Sequence, residues 1–270
     1  MGLGLVVDIG NTNTRVLCFD VEEVKDMSSS ISRFETIDLD SHKIEHVFLS
    51  YLKELDVDKE NIQGVLISSV VPEANKVFES SCINTLGLRP AFLNCSVDSG
   101  LKFALQNTET LGADRIANVV GGLNKLKSEK KNAQGKGVLV VDVGTGTTWD
   151  VASPEQEFLG GAIFAGPVTS LDGLFRKSSK ISKIELFPPT NVLGKSTQEA
   201  LMSGVFYGYA GMIDALIRRI KESVSFDVIC YATGGLADLI CDFCEEDLVV
   251  DTQLTMRGLK TVFQRIQRKK

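Results

Sequence analysis

Two carboxylates and the turns that follow them are the first candidates for chemistry. Residues 5–14 read LVVDIGNTNT and residues 139–148 read LVVDVGTGTT, so Asp8 and Asp142 each close an apolar, β-branched run and open a turn of Gly, Asn and Thr. Such a turn presents backbone N–H groups and hydroxyls that can wrap phosphate oxygens, and a carboxylate at a strand end can hold a cation. Two of them facing one another would grip a nucleoside triphosphate. Either turn alone reads as ordinary turn chemistry. Their repetition after matching strands is what favours phosphate. A third candidate is Asp114–Arg115, a base beside a cation that suits an anionic substrate. Taken alone, the pair reads better as a first helical turn, with Asp114 complementing the dipole and Arg115 in a surface ion pair.

Other motifs carry less. His42 to His46 fits H-x-x-E-H, which places two histidines on one helix face, but these are the only two histidines in the chain and no third ligand is identifiable. They read as exposed helix residues. Residues 189–196 (PTNVLGKS) approach a Walker loop, yet Pro189 stands where the first Gly belongs and can supply neither the turn nor an N–H. Cys241 and Cys244 form an isolated C-x-x-C. Phe206, Tyr207 and Tyr209 fall in an apolar helix and read as core or interface residues.

The elements that must position these groups repeat. From Asp8 to Asp142 the pattern recurs 134 positions on in a chain of 270, so the chain looks duplicated. Each copy predicts a strand, a turn at Gly10 or Gly144, and a second strand over 15–21 or 149–152. Further strands are expected over 64–71 and 227–232, and amphipathic helices over 42–55, 73–86, 113–127, 197–221 and 254–267. The stretch 160–194 looks like an insertion, and 128–137 reads as a polar surface loop. Room for two domains, 43% hydrophobic and 24% charged residues describe an ordinary α/β protein.

A formal net charge of -6 offers nucleic acid no overall attraction, and the basic residues after Asp251 read as a helix C-terminus. No run approaches the ~18 apolar residues of a membrane span, and no signal peptide is evident, so a cytoplasmic protein with no membrane contact is expected. Its six scattered cysteines read as thiols.

The segments DIGNTNT (8–14), DVGTGTTWD (142–150) and ATGGLA (232–237) resemble the two phosphate motifs and the adenosine motif of the superfamily containing actin, sugar and acetate kinases and heat-shock chaperones. Within it, LGADRIANVVGG (111–122), GGAI (160–163) and GKSTQEALMSGVFYGYAG (194–211) are similar to the type III pantothenate kinase family, in that family's order and over nearly the whole chain. The resemblance implies an α/β protein of two ribonuclease-H-like (actin-like ATPase) domains, 1–115 and 116–270, with a nucleotide cleft between them. It implies ATP-dependent phosphorylation of pantothenate to 4'-phosphopantothenate, the first step of coenzyme A biosynthesis. Mg2+, a monovalent cation (K+ or NH4+) and a homodimer that completes the pantothenate pocket are implied as well.

By the same resemblance, Asp8, Ile9, Gly10, Asn11, Thr12, Asn13, Thr14 and Arg15 form the first phosphate loop, with Asp8 towards Mg2+. Thr145, Gly234 and Gly235 are further ATP contacts, and Asp142 is the K+ or NH4+ ligand. Gly112, Ala113, Asp114, Arg115 and Thr197 hold pantothenate, with Asp114 as general base. The chain departs from the family at Gly146, Leu105, Thr108, 163–167 and 178–181. Two competitors share the fold. One is a non-catalytic regulatory accessory factor, which would not need Asp114. The other is an assembly-driving ATPase, for which half of 270 residues per domain leaves little room.

Overall fold

A computed structural model describes residues 2–22, 31–36, 40–129, 134–177 and 185–269. The departures at 178–181 and part of the 128–137 loop lie outside these residues. The chain forms two compact units, Met1–Asn124 with Gln253–Lys270, and Lys125–Thr252.

In the first unit, β1 (Leu3–Ile9), β2 (Asn13–Asp20) and β3 (Ile31–Glu35) form an antiparallel meander. After α1 (Ser41–Glu54), β4 (Ile62–Ser69) pairs parallel with β1, and after α2 (Pro72–Leu86) the short β5 (Ala91–Phe92) pairs parallel with β4. The strand order is β3-β2-β1-β4-β5. Alternation along β1 gives each face its own core. Leu5, Val7 and Ile9 meet Ile44 and Phe48 of α1 and Phe78 of α2. Val6, with Leu66 of β4, meets the opposite layer. That layer is α3 (Ala113–Ser128), which follows β6 (Lys102–Phe103), and the last helix of the chain, which supplies Leu259 and Phe263.

In the second unit, β7 (Gly137–Val143), β8 (Gly146–Ala152) and β9 (Glu157–Ala165) repeat the meander. Helices α4 (Pro167–Lys177) and α5 (Thr197–Ser223) lead to β10 (Val228–Thr233), parallel to β7 as β4 is to β1. Then come α6 (Ala237–Cys241), the edge strand β11 (Val249–Val250) and α7 (Leu254–Gln267), which belongs to the first unit. The order here is β11-β10-β7-β8-β9. Leu139, Val141, Val143 and Trp149 pack beneath Met202, Phe206 and Ile213 of α5.

Three expectations are corrected. The expected insertion at 160–194 begins inside β9, which answers to β3 and is therefore part of the repeat. Gly160 and Gly161 hide it, because strand propensity is low at glycine. Yet Gly161 is required, since a Cβ there would come within 1.7 Å of the Trp149 carbonyl oxygen.

The division of the chain also differs from 1–115 and 116–270. Residues 253–270 join the first unit because Leu259, Val262 and Phe263 fill its core. Finally, α5 is long and apolar enough to cross a membrane by length and composition. Its apolarity has an internal cause: Met202, Val205, Phe206, Ile213 and Ile217 are buried in the second unit's core, and buried Asp214 accepts hydrogen bonds from the N–H groups of Glu245 and Glu246 at 2.9 and 3.0 Å.

Candidate active site

In the first unit the β1–β2 register sets Asp8 opposite Arg15. The guanidinium grips the carboxylate, with Nη2 2.7 Å and Nε 3.3 Å from Asp8 Oδ2. The same Nη2 reaches Thr255 Oγ1 of α7 at 3.0 Å. Both printed contacts fall on Oδ2 of this strand-end carboxylate, a group of the kind that can also serve a cation or a water of its shell.

The turn between the strands is closed by Gly10 N–H donating to the Asn13 carbonyl at 3.0 Å, which leaves Asn11 and Thr12 exposed at its tip. Buried Thr14 shares a hydrogen bond with Thr36 across to the end of β3 (3.0 Å), and Ile9 is core. Beside Asp8 on the parallel strand lies Ser68, fully buried, whose Oγ has no hydrogen-bond partner among the described residues. A buried, unsatisfied hydroxyl next to a strand-end carboxylate is what a site for a polar ligand would contain.

The first turn of α3 packs on the same face of the sheet, since Ala113 and Ile116 join Val6 and Leu66 in one cluster. Gly112 precedes the helix. The Asp114 side chain folds back over its N-terminus, where Oδ1 accepts from Arg115 N–H at 2.8 Å and lies where a Cβ of residue 112 would sit, 2.4 Å away. Asp114 and Arg115 are half-buried, so the carboxylate is oriented yet reachable.

The second unit repeats the design. Asp142 pairs with Thr148 on β8 and Thr233 on β10. The turn is closed by Gly144 N–H to Gly146 O at 3.0 Å, with Thr145 exposed at its tip. Thr233, like Ser68, is fully buried, and its hydroxyl has no hydrogen-bond partner among the described residues. The chain then passes over Asp142 at Gly234, φ +99°, where a Cβ would stand 2.4 Å from Asp142 Oδ1 and 2.6 Å from the Val143 carbonyl oxygen. Only glycine fits both that dihedral and that clearance. Gly235 is exposed in the turn that follows. Thr197 is the exposed first residue of α5, whose start is fixed by two side chains. Ser196 Oγ accepts from Glu199 N–H (3.2 Å), and the Glu199 carboxylate accepts from Lys195 N–H (2.7 Å).

The structure therefore gathers Asp8, Gly10, Thr14 and Arg15 on one sheet, with Gly112 to Arg115 on its α3 face. It gathers Asp142, Thr145 and Gly234 on the other, with Thr197 at the head of α5. Sequence reading missed four neighbours. Ser68 and Thr233 come in through strand register, and Thr255 returns from 240 positions away. Asp150, wholly buried and accepting from Thr148 Oγ1 at 3.0 Å, stood within a quoted motif, and its spacing from Asp142 on alternate positions of a hairpin was the available signal. His46 shares a hydrogen bond with Ser50 (2.8 Å), and Glu45 accepts from Asn84 (3.0 Å), so these two residues of the H-x-x-E-H run are engaged by neighbouring side chains.

Two three-stranded meanders, each opened by a strand-end carboxylate and a glycine turn and each joined by a parallel strand, define an actin-like, nucleotide-binding class of α/β protein. Solved structures agree on the fold. (R)-2-Hydroxyglutaryl-CoA dehydratase component A from Acidaminococcus fermentans superposes with a TM-score of 0.59 at 10% identity, covering 100% of this chain and 99% of that one. The inorganic polyphosphate/ATP-glucomannokinase of Arthrobacter sp. strain KM gives 0.53 at 12% identity over 99% and 100% of the two chains.

Within that class the family is definite. Residues 4–219 match the type III pantothenate kinase family. A type III pantothenate kinase of Syntrophus aciditrophicus (strain SB) is 34% identical over 264 residues, spanning 97% of this chain and 98% of that protein. The chain belongs to the type III pantothenate kinase family.

Proposed function

We propose that this protein transfers the γ-phosphoryl group of ATP to the primary hydroxyl of pantothenate, forming 4'-phosphopantothenate in the first step of coenzyme A biosynthesis, in the cytoplasm where its donor is found. The observation that carries the reading is the paired hairpin, Asp8–Arg15 and Asp142–Thr148, together with a carboxylate held at the head of α3. A divalent cation bound with ATP would offset the phosphate charge that the turns must accept.

The chain's own part is positioning and electrostatics. The turn over 10–14 receives phosphate oxygens at its exposed tip, Asn11 and Thr12, and Arg15 is held beside it by Asp8 and Thr255. Thr145, Gly234 and Gly235 complete the nucleotide contacts, with Gly235 exposed to approach. Gly112, Ala113, Arg115 and Thr197 orient pantothenate, and Arg115 offers a partner to its carboxylate. Asp114 takes the hydroxyl proton as the new O–P bond forms and the bond to the ADP leaving oxygen breaks.

Asp142 serves the monovalent cation. Its fit is supported by the crowded oxygen environment of Asp142 Oδ1 and the Val143 carbonyl under Gly234, and by the unpartnered Thr233 hydroxyl. Turnover in K+ or NH4+ should exceed that in Na+, and equal rates would remove this role.

The working unit is a homodimer through the exposed side of α5. ADP release measured with and without pantothenate tests the activity itself. Pantothenate-dependent release is expected, and release that ignores pantothenate, or none at all, overturns the reading.

A further inference from the structure

The Thr145 carbonyl, at the tip of the second-unit turn, accepts two hydrogen bonds: Gly166 N–H at 2.9 Å and Thr169 Oγ1 at 2.7 Å. Both donors lie in the corner that joins β9 to α4. That corner is itself held. Tyr209 on α5 donates its hydroxyl to the Ala165 carbonyl at 2.7 Å. A phenol has a single proton, so the 2.5 Å contact between Ser170 Oγ and Tyr209 OH is a hydrogen bond from serine to tyrosine. Ser170 N–H closes the loop onto Gly166 O at 2.9 Å. The contacts thus run without a gap from α5, through 165–170, to the turn.

The geometry leaves this corner little slack. A Cβ on Gly166 would lie 1.9 Å from Gly144 O and 2.7 Å from Thr145 O, so the two backbones touch. A trans peptide is planar, so fixing the Thr145 carbonyl fixes the whole Thr145–Gly146 peptide and the direction of the Gly146 N–H. The Tyr209 ring belongs to the core cluster, and phenylalanine would fill that space equally. Its hydroxyl serves something else: it bonds the carbonyl of Ala165, an exposed residue that water could serve. Burial pushes the phenol up from its ordinary value, which keeps it a donor.

We propose that Tyr209, supported by Ser170, is a positioning residue for the nucleotide: it holds the 165–170 corner so that Gly166 N–H and the Thr169 hydroxyl aim the 144–146 turn at the ATP phosphates. The inference rests on reading that turn as a phosphate site. Tyr209 touches no reacting atom, so its effect appears in the binding of one substrate and not the other.

The test compares Tyr209→Phe, Thr169→Val, Thr169→Ser and the Tyr209→Phe/Thr169→Val double variant. Tyr209→Phe and Thr169→Val should each raise KM for ATP by about three- to tenfold, the scale of one lost hydrogen bond, while KM for pantothenate and the melting temperature stay near wild type. Thr169→Ser, which keeps the hydroxyl, should restore wild-type behaviour. The double variant should fall short of the product of the single effects, because both act on one peptide. Unchanged ATP parameters in Tyr209→Phe, or an equal loss for both substrates with a lowered melting temperature, overturns the proposal. Calorimetric titration with ATP alone runs on the same variants. If the wild type makes no pantothenate-dependent ADP, the functional reading fails on its own, while the ratio of ATP dissociation constants still decides the role of Tyr209.

Discussion

Asp114 carries the most specific expectation at the level of single residues. A primary alcohol does not lose its proton unaided at neutral pH, so a held carboxylate should accept it as the O–P bond forms. Asp114→Asn keeps an oxygen for Arg115 N–H and so keeps the helix start. Turnover should fall by about 100- to 10,000-fold while calorimetric ATP binding persists. Joint loss of both would make Asp114 structural.

Asp8→Asn has a double consequence, because the carboxylate also neutralises Arg15 in a largely buried pair with side-chain exposures of 10% and 23%. Removing one partner of a charge-assisted bond costs about 1–3 kcal/mol, so a lowered denaturation midpoint should accompany a severe loss of turnover at all Mg2+ concentrations. Near-normal turnover would take Asp8 out of the site. Asp8, Asp142 and their turns are legible in sequence because an apolar run followed by glycine and hydroxyl residues is a local signal. Ser68 and Thr255 are not, because a lone Ser or Thr acquires meaning only through the strand or helix placed beside it, and Thr233, though inside ATGGLA, gains its place beside Asp142 only through strand register.

Helix α7 shows the same limit for whole elements. Its apolar stripe is evident in sequence, but nothing local says that it packs on the first sheet. There Gly258 and Gly121 let α7 and α3 approach until a Cβ on either would lie 1.8 or 2.2 Å from the other helix's backbone oxygen. The far end of α7 is tied down by Asp98, which accepts from Lys269 Nζ and from Arg265 Nε (2.7 Å). These two cations, Lys269 foremost, hold the Asp98 carboxyl down at about 2.

A carboxyl depressed below its unfolded value contributes stability above that value and loses it as pH falls, here from about 4 through about 2. The pair is solvent-exposed, so the contribution is small and screened by salt. Asp98→Asn should therefore speed amide exchange in 264–269 at neutral pH and low salt. The difference should shrink steadily as pH falls from about 4 to about 2, and shrink in high salt. Equal exchange in variant and wild type at low salt would show that core packing alone holds the helix end.

In the sequence Phe206, Tyr207 and Tyr209 read as core or interface residues, and the structure divides them. Phe206 is fully buried in the second unit's own core, and Tyr209 belongs to the same cluster. What stays outside is Tyr207 at 38% exposure, together with Val192 at 60% and Leu193 at 80% in the segment before the helix. These form one surface, because Ser203, one turn before Tyr207, donates its hydroxyl to the Val192 carbonyl. A Cβ on Gly204, Gly208 or Gly211 would meet nothing within 4 Å, so this side of the helix is smooth enough for close approach. Contiguous apolar surface of this kind is ordinarily covered by a partner, and a second copy is the partner the family resemblance implies. Light scattering at micromolar concentration should return the dimer mass for the wild type. Leu193→Glu places a charge where no intrachain packing is disturbed, so it should shift the mass towards the monomer without lowering the melting temperature of the fold. Turnover should fall with the dimer if the pantothenate pocket needs both copies. A monomeric wild type would leave the exposed face of α5 without its partner and Thr197 without its proposed role.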